Sequence, residues 1–108
     1  MNDELIVLVT VPGRADGERI AEAVVGEQLA ACVNILGPIR SIYRWQGEIC
    51  RDDEHLLLIK STRARYPDLE TRIKALHTYE VPEVIALPIE RGSAEYLNWL
   101  REALVKNS

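Results

Sequence analysis

The residues best suited to chemistry lie in one short stretch, His77-Thr78-Tyr79-Glu80-Val81-Pro82-Glu83. An imidazole and carboxylates in a single loop can offer ligands to a divalent ion, and neutral imidazole suits copper, zinc and nickel. His77 also falls where a helix should end, and a histidine there more commonly caps the helix and complements its dipole. Glu83, beside Pro82, reads equally well as a solvated loop residue. No second histidine or cysteine stands at ligand spacing, so a four-ligand site preformed within one chain is not expected. A site that is shared between chains or open at the surface stays in play.

Other side chains carry weaker signals. Lys60 follows the apolar run Leu56-Leu57-Leu58-Ile59, where an ammonium either holds an anion in a cleft or marks the point at which a strand surfaces. Tyr43 and Trp45 read as packing anchors of an oligomer or as walls of a ligand pocket, with packing favoured by their place near a hairpin tip. Cys32, after Leu29-Ala30-Ala31, reads as a small core residue rather than a soft-metal or redox thiol. Cys50 is nearer the tip and more accessible. Neither cysteine has a base or third group at a recognisable spacing, so nothing supports nucleophilic catalysis, and the chain is not read as an enzyme.

The elements that must position these residues follow from periodicity. Leu5 to Val11 is a continuous apolar run, as expected of a central strand buried on both faces. Pro12-Gly13 ends it. Asp16 is placed to cap a helix running to about Gln28, with Ile20, Ala23 and Val24 on one face. Tyr66-Pro67-Asp68 opens a second helix, with Leu69, Ile73 and Leu76 inward and its end near His77. Val84 to Ile89 reads as a fourth strand, at an edge because of Pro88. Ser93 caps a third helix whose apolar face is Tyr96, Trp99, Leu100, Ala103 and Leu104. The order β-α-β-β-α-β plus a C-terminal helix is the ferredoxin-like pattern of an α+β fold, read as one domain over residues 1–108.

Between the first two helices lies a hairpin turning at Gln46-Gly47, with arms from about Val33 to Trp45 and from Ile49 to Ile59. Each arm reaches ~44 Å, against a diameter of ~34 Å for a compact domain of this length. Roughly a third of the hairpin therefore overhangs, carrying Ile42, Tyr43, Trp45 and Ile49 into water unless something covers it. Another copy of the chain is the simplest cover. In this hairpin Trp45 faces Glu48, Arg40 faces Asp53, Cys50 faces Tyr43 and Cys32 faces Ser61, a register that a bulge at Gly37-Pro38 would shift by a residue or so. The two cysteines are then ~36 Å apart, beyond the reach of a disulfide.

Composition narrows the partners. The 108 residues are 47% hydrophobic, enough for a core without metal or disulfide staples. A net charge of −4 with scattered basic residues leaves no footprint for nucleic acid and disfavours membrane surfaces. The acidic start Met1-Asn2-Asp3-Glu4 has no basic n-region, and no apolar run spans a bilayer. Two free thiols fit a reducing compartment, so the location expected is cytoplasmic. The fold class alone assigns no function. The first strand lacks the aromatics that RNA-binding versions stack on bases, and the loop after it lacks the Cys-x-x-Cys of soft-metal chaperones.

Taken together, Leu29 to Ile35, Ser41 to Gly47, His77 to Glu83 and Tyr96 to Leu100 closely resemble the CutA family, the divalent-cation tolerance proteins. The resemblance implies a cytoplasmic homotrimer, joined through its long hairpins and shaped like the PII signalling proteins, that binds copper or another divalent cation and has no organic cofactor. It implies His77 as the surviving metal ligand, because Arg19 and Leu76 replace a cysteine and a histidine of the family's described copper site. Thr78 replaces the family's proline in the same loop. The resemblance further implies an inter-subunit cleft around Tyr43, Trp45, Glu54, Lys60, Tyr79 and Glu83. The alternative it leaves open is a PII-like regulatory or scaffold trimer that holds a small anionic ligand or a protein partner in those clefts.

Overall fold

The computed structural model describes residues 3–105. Met1 and Asn2 of the acidic start, and residues 106–108 of the expected domain, lie outside the described residues. Its elements are β1 (Glu4–Val11), α1 (Arg14–Gly26), β2 (Cys32–Trp45), β3 (Glu48–Thr62), α2 (Tyr66–Leu76), β4 (Val84–Pro88) and α3 (Ala94–Ala103). The strands form one sheet in the order β2-β3-β1-β4, and every neighbouring pair is antiparallel. This is the ferredoxin-like arrangement that the element order predicts, with β4 at an edge as Pro88 requires.

Alternation along β1 decides which face is sealed. Val7, Val9 and Val11 pair across the ladder with Ile59, Leu57 and His55, and the aliphatic members of that set are fully buried. They pack with Ile20 and Val24 of α1 and with Leu69 and Ile73 of α2 in one apolar cluster. Each such side chain stabilises the fold by about 1.5 to 3 kcal/mol. The intervening residues Ile6 and Leu8, with Leu56 and Leu58 of β3, are only half-buried, while Leu36, Ile85 and Leu87 are exposed. The expectation that β1 is buried on both faces is therefore corrected. One face is covered by helices, and an apolar strip of the other stays open in a single chain.

Helix ends differ in detail from the reading above. Asp16 lies in the first turn of α1 and makes no capping bond, the cap position being Gly13. The helix stops at Gly26 because Gln28 takes a left-handed φ of 58°. Ser93 does cap α3, its hydroxyl oxygen accepting from the Tyr96 N–H at 3.3 Å. The inward stripe of α3 is Leu97, Leu100 and Leu104, whereas Tyr96 and Trp99 pair their rings on the exposed side with centroids 5.5 Å apart. The helix is held to the sheet by Arg101, paired at 3.1 Å with the buried carboxylate of Glu4, and to the start of α2 by Arg65, which donates twice to the Leu104 carbonyl.

The hairpin turns at Gln46 and Gly47, both at positive φ, and pairs Trp45 with Glu48 and Arg40 with Asp53 as expected. β1 pairs with β3 only from Thr62 to His55. From Glu54 to the turn, β3 has β2 as its one neighbour, a free-standing length of ~24 Å, and the chain's longest dimension is 45 Å. A bulge between Leu36 and Ile39 shifts the lower register by one residue, so Cys32 faces Lys60 and not Ser61. Both cysteines are free thiols.

Gly37 sits in that bulge at φ 156°, and a Cβ there would lie 2.6 Å from the His55 ring. Gly37→Ala is expected to destabilise the fold by about 1 to 3 kcal/mol. Urea unfolding of both proteins at one fixed protein concentration checks this, and equal midpoints would show that the His55 ring moves aside at no cost.

Candidate functional site at the root of the hairpin

Where β1 ends and the hairpin continues alone, the loop between α2 and β4 folds against the hairpin stem. Together they enclose an open groove of about 700 Å³. Tyr43 and Trp45 come from β2, Glu54 from β3, and Tyr79, Glu80 and Glu83 from the loop. Five of the six residues implied for the cleft are thus brought together. Lys60 is not among them. It lies six positions further along β3, ~20 Å away, where its ammonium donates to Asn34 Oδ1. No lysine or arginine lines the groove among the described residues, so a small anion held by Lys60 between Tyr43 and Trp45 has no geometric basis in one chain.

Two tyrosine–carboxylate pairs shape the electrostatics. The Tyr43 hydroxyl donates to Asp52 Oδ2 across the hairpin, and this bond pushes its pKa from 10.0 up to about 12. The Tyr79 hydroxyl donates to Glu54 Oε2 at 2.7 Å. Its pKa is raised as well, first by burial and then by that bond. Glu54 is only 6% exposed. Asp52 was missed by the sequence reading, yet it stands two residues from Glu54 on the same strand face, a spacing that the register makes visible.

His77 closes the back of the loop. It follows the last residue of α2 in extended conformation, and its N–H donates to the Ile73 carbonyl. Its Nε2 lies 2.7 Å from the Thr10 carbonyl, and its Nδ1 accepts the Tyr79 N–H at 3.1 Å. The Thr10 carbonyl can only accept, so the ring carries its proton on Nε2 and both nitrogens are engaged. Its ring packs on that of Tyr79 with centroids 4.7 Å apart. Arg19 reaches the neighbouring Leu76 carbonyl at 3.0 Å, which places a guanidinium where the family resemblance compares it with a metal-binding thiol. Among the described residues, no three His, Cys, Asp or Glu side chains gather as a ligand set. The residues present do not fit a preformed transition-metal centre within one chain.

Comparison with known proteins agrees with the geometry at the level of the family. The model of the CutA1 divalent ion tolerance protein family matches residues 5–103. The divalent-cation tolerance protein CutA of Thermus thermophilus is 57% identical over 92% of this chain and 96% of its own length. The chloroplastic protein CutA of Arabidopsis thaliana is 48% identical over 92% of this chain, which spans only 54% of that relative. Among solved structures, CutA1 from Oryza sativa superposes with a TM-score of 0.93 at 43% identity, covering 98% of this chain and 97% of the other.

All four tyrosines are held above the ordinary value of 10.0. For an acid whose pKa is higher folded than unfolded, the folded state binds more protons above the unfolded pKa. The stability tied to Tyr43 is therefore fully present below pH 10 and is lost as pH rises through about 12. In an alkaline absorbance titration of the folded protein, Tyr43→Phe should remove a tyrosinate step near pH 12. His77→Ala should cost about 1 to 3 kcal/mol by freeing the Thr10 carbonyl and the Tyr79 N–H, measured by denaturant unfolding. An unchanged stability would show that water replaces both bonds.

Proposed function

The chain belongs to the CutA1 divalent ion tolerance protein family, and from that premise we propose a single-domain, non-enzymatic homotrimer that takes up divalent cations weakly, copper foremost, in the response to metal ions. The observation that carries the cation reading is the groove itself, with Glu54, Glu80 and Glu83 in its walls and no basic side chain beside them among the described residues. His77 is not in the lining itself but stands behind it, its ring packed on that of Tyr79. Coordination would require it to give up either the Thr10 carbonyl or the Tyr79 N–H, which supports a weak site rather than a tight one. Self-association is supported by the open apolar strip of the sheet and by the free-standing hairpin. The unpaired thiols support a cytoplasmic location.

Light scattering at micromolar concentration should return three times the 12.2 kDa chain mass, and a monomer would end the assembly reading. In calorimetry, copper should bind weakly to the wild type and more weakly still to His77→Ala. Identical affinities in the two proteins would remove His77 as a ligand.

A further inference from the structure

A groove of about 700 Å³ is far larger than a metal ion needs. It lies within the range of about 300 to 1,000 Å³ typical of small-molecule sites, whereas one water occupies about 30 Å³. Its walls alternate rings with carboxylates. Tyr43 and Trp45 are 43% and 41% exposed, so their apolar surface is presented rather than packed away. Glu54 is the one deeply buried acid of the lining. Its Oε2 accepts from the Tyr79 hydroxyl, and an ionised carboxylate has lone pairs for further donors beside that one bond. A largely buried carboxylate with lone pairs to spare is a strong acceptor for a charged N–H donor. Ring faces beside it favour a cation with an apolar body, because the ring quadrupole attracts positive charge within about 6 Å.

The geometry points to this groove as a binding site for a primary alkylammonium, its N–H groups on the Glu54 carboxylate and its hydrocarbon chain along Tyr43 and Trp45. This occupant is an organic cation, and it leaves both nitrogens of His77 to the bonds that they already make. The exposed carboxylate of Glu83 stands at the rim to receive a second ammonium, which makes a short diamine the fitting probe. The hairpin wall is shared with the surface proposed for self-association, so the probe belongs with the assembled full-length protein.

Calorimetry with putrescine, with tetramethylammonium and with butanediol tests each part. Putrescine should bind saturably. Tetramethylammonium, which has charge but no N–H donor, should bind more weakly, and neutral butanediol should give no heat of binding. Glu54→Gln keeps an acceptor for Tyr79 and should weaken putrescine by about tenfold or more, with light scattering confirming unchanged assembly. Should that variant not assemble, Glu83→Gln at the exposed rim should still weaken putrescine by about twofold. No saturable putrescine binding, equal binding of tetramethylammonium, or full affinity in either variant would overturn the site. Copper titrated in parallel keeps the two readings apart, since putrescine failing while copper binds removes this inference alone, and the reverse removes the metal reading alone.

Discussion

The unequal lengths of β1 and β3 are the constraint on which the rest of this structure depends. β1 stops at Val11, opposite His55, while β3 continues to Glu48. Below that point the sheet is four strands wide and sealed on one side by α1 and α2. Above it two strands stand alone, with one edge of each unpaired. The groove forms at the step between these regions because the chain leaving α2 crosses there on its way to β4, and Tyr79 reaches Glu54 as it passes. Overhang, open edge and cavity are three results of one mismatch in strand length.

Polar groups at the step are arranged to hold carboxylates rather than to neutralise them. Tyr43 and Tyr79 donate to Asp52 and Glu54, and both hydroxyls keep their protons well above the ordinary range. A tyrosine partner fixes a carboxylate in position and leaves its negative charge in place, where an arginine would have cancelled it. The arginines lie elsewhere. Arg101 holds Glu4, Arg72 holds Glu27 and Arg40 holds Asp53, pairs that fasten elements together and stay clear of the groove.

Much of the fold was legible because apolar periodicity records burial directly. Ile20 and Val24, Leu69 and Ile73, and the alternate residues Val7, Val9 and Val11 of the first strand stand in the core where spacing placed them. Periodicity failed where apolar surface stays open in the single chain. Tyr96 and Trp99 looked like the core side of α3 and lie outward, and Ile6 and Leu8 looked sealed and are half-open. Within the site, Tyr43, Trp45, Glu54, Tyr79 and Glu83 line one groove of the single chain, where the resemblance implied a cleft between subunits. The separation of Lys60 from them follows simply from distance along β3. The engagement of both His77 nitrogens was not legible, since one partner is a backbone carbonyl far away in sequence, which no residue type announces.

The bulge at Gly37-Pro38 has a further consequence, which concerns parity. Below it, Cys32, Asn34 and Leu36 stand opposite Lys60, Leu58 and Leu56, even positions facing even positions. Above it, Ile39, Ser41 and Tyr43 stand opposite Glu54, Asp52 and Cys50, odd facing even. One supernumerary residue has changed the phase of β2 against β3, and successive side chains along a strand point to opposite faces. With a regular ladder, Arg40, Ile42 and Arg44 would share the face of Asp52 and Glu54, and Tyr43 and Trp45 would turn to the other side. The carboxylates would then meet guanidinium groups instead of phenol and indole. A single inserted position therefore works as a phase selector, and the chemical character of the hairpin's upper face, acidic and aromatic rather than charge-paired, is set at a bend that contributes no atom to the groove.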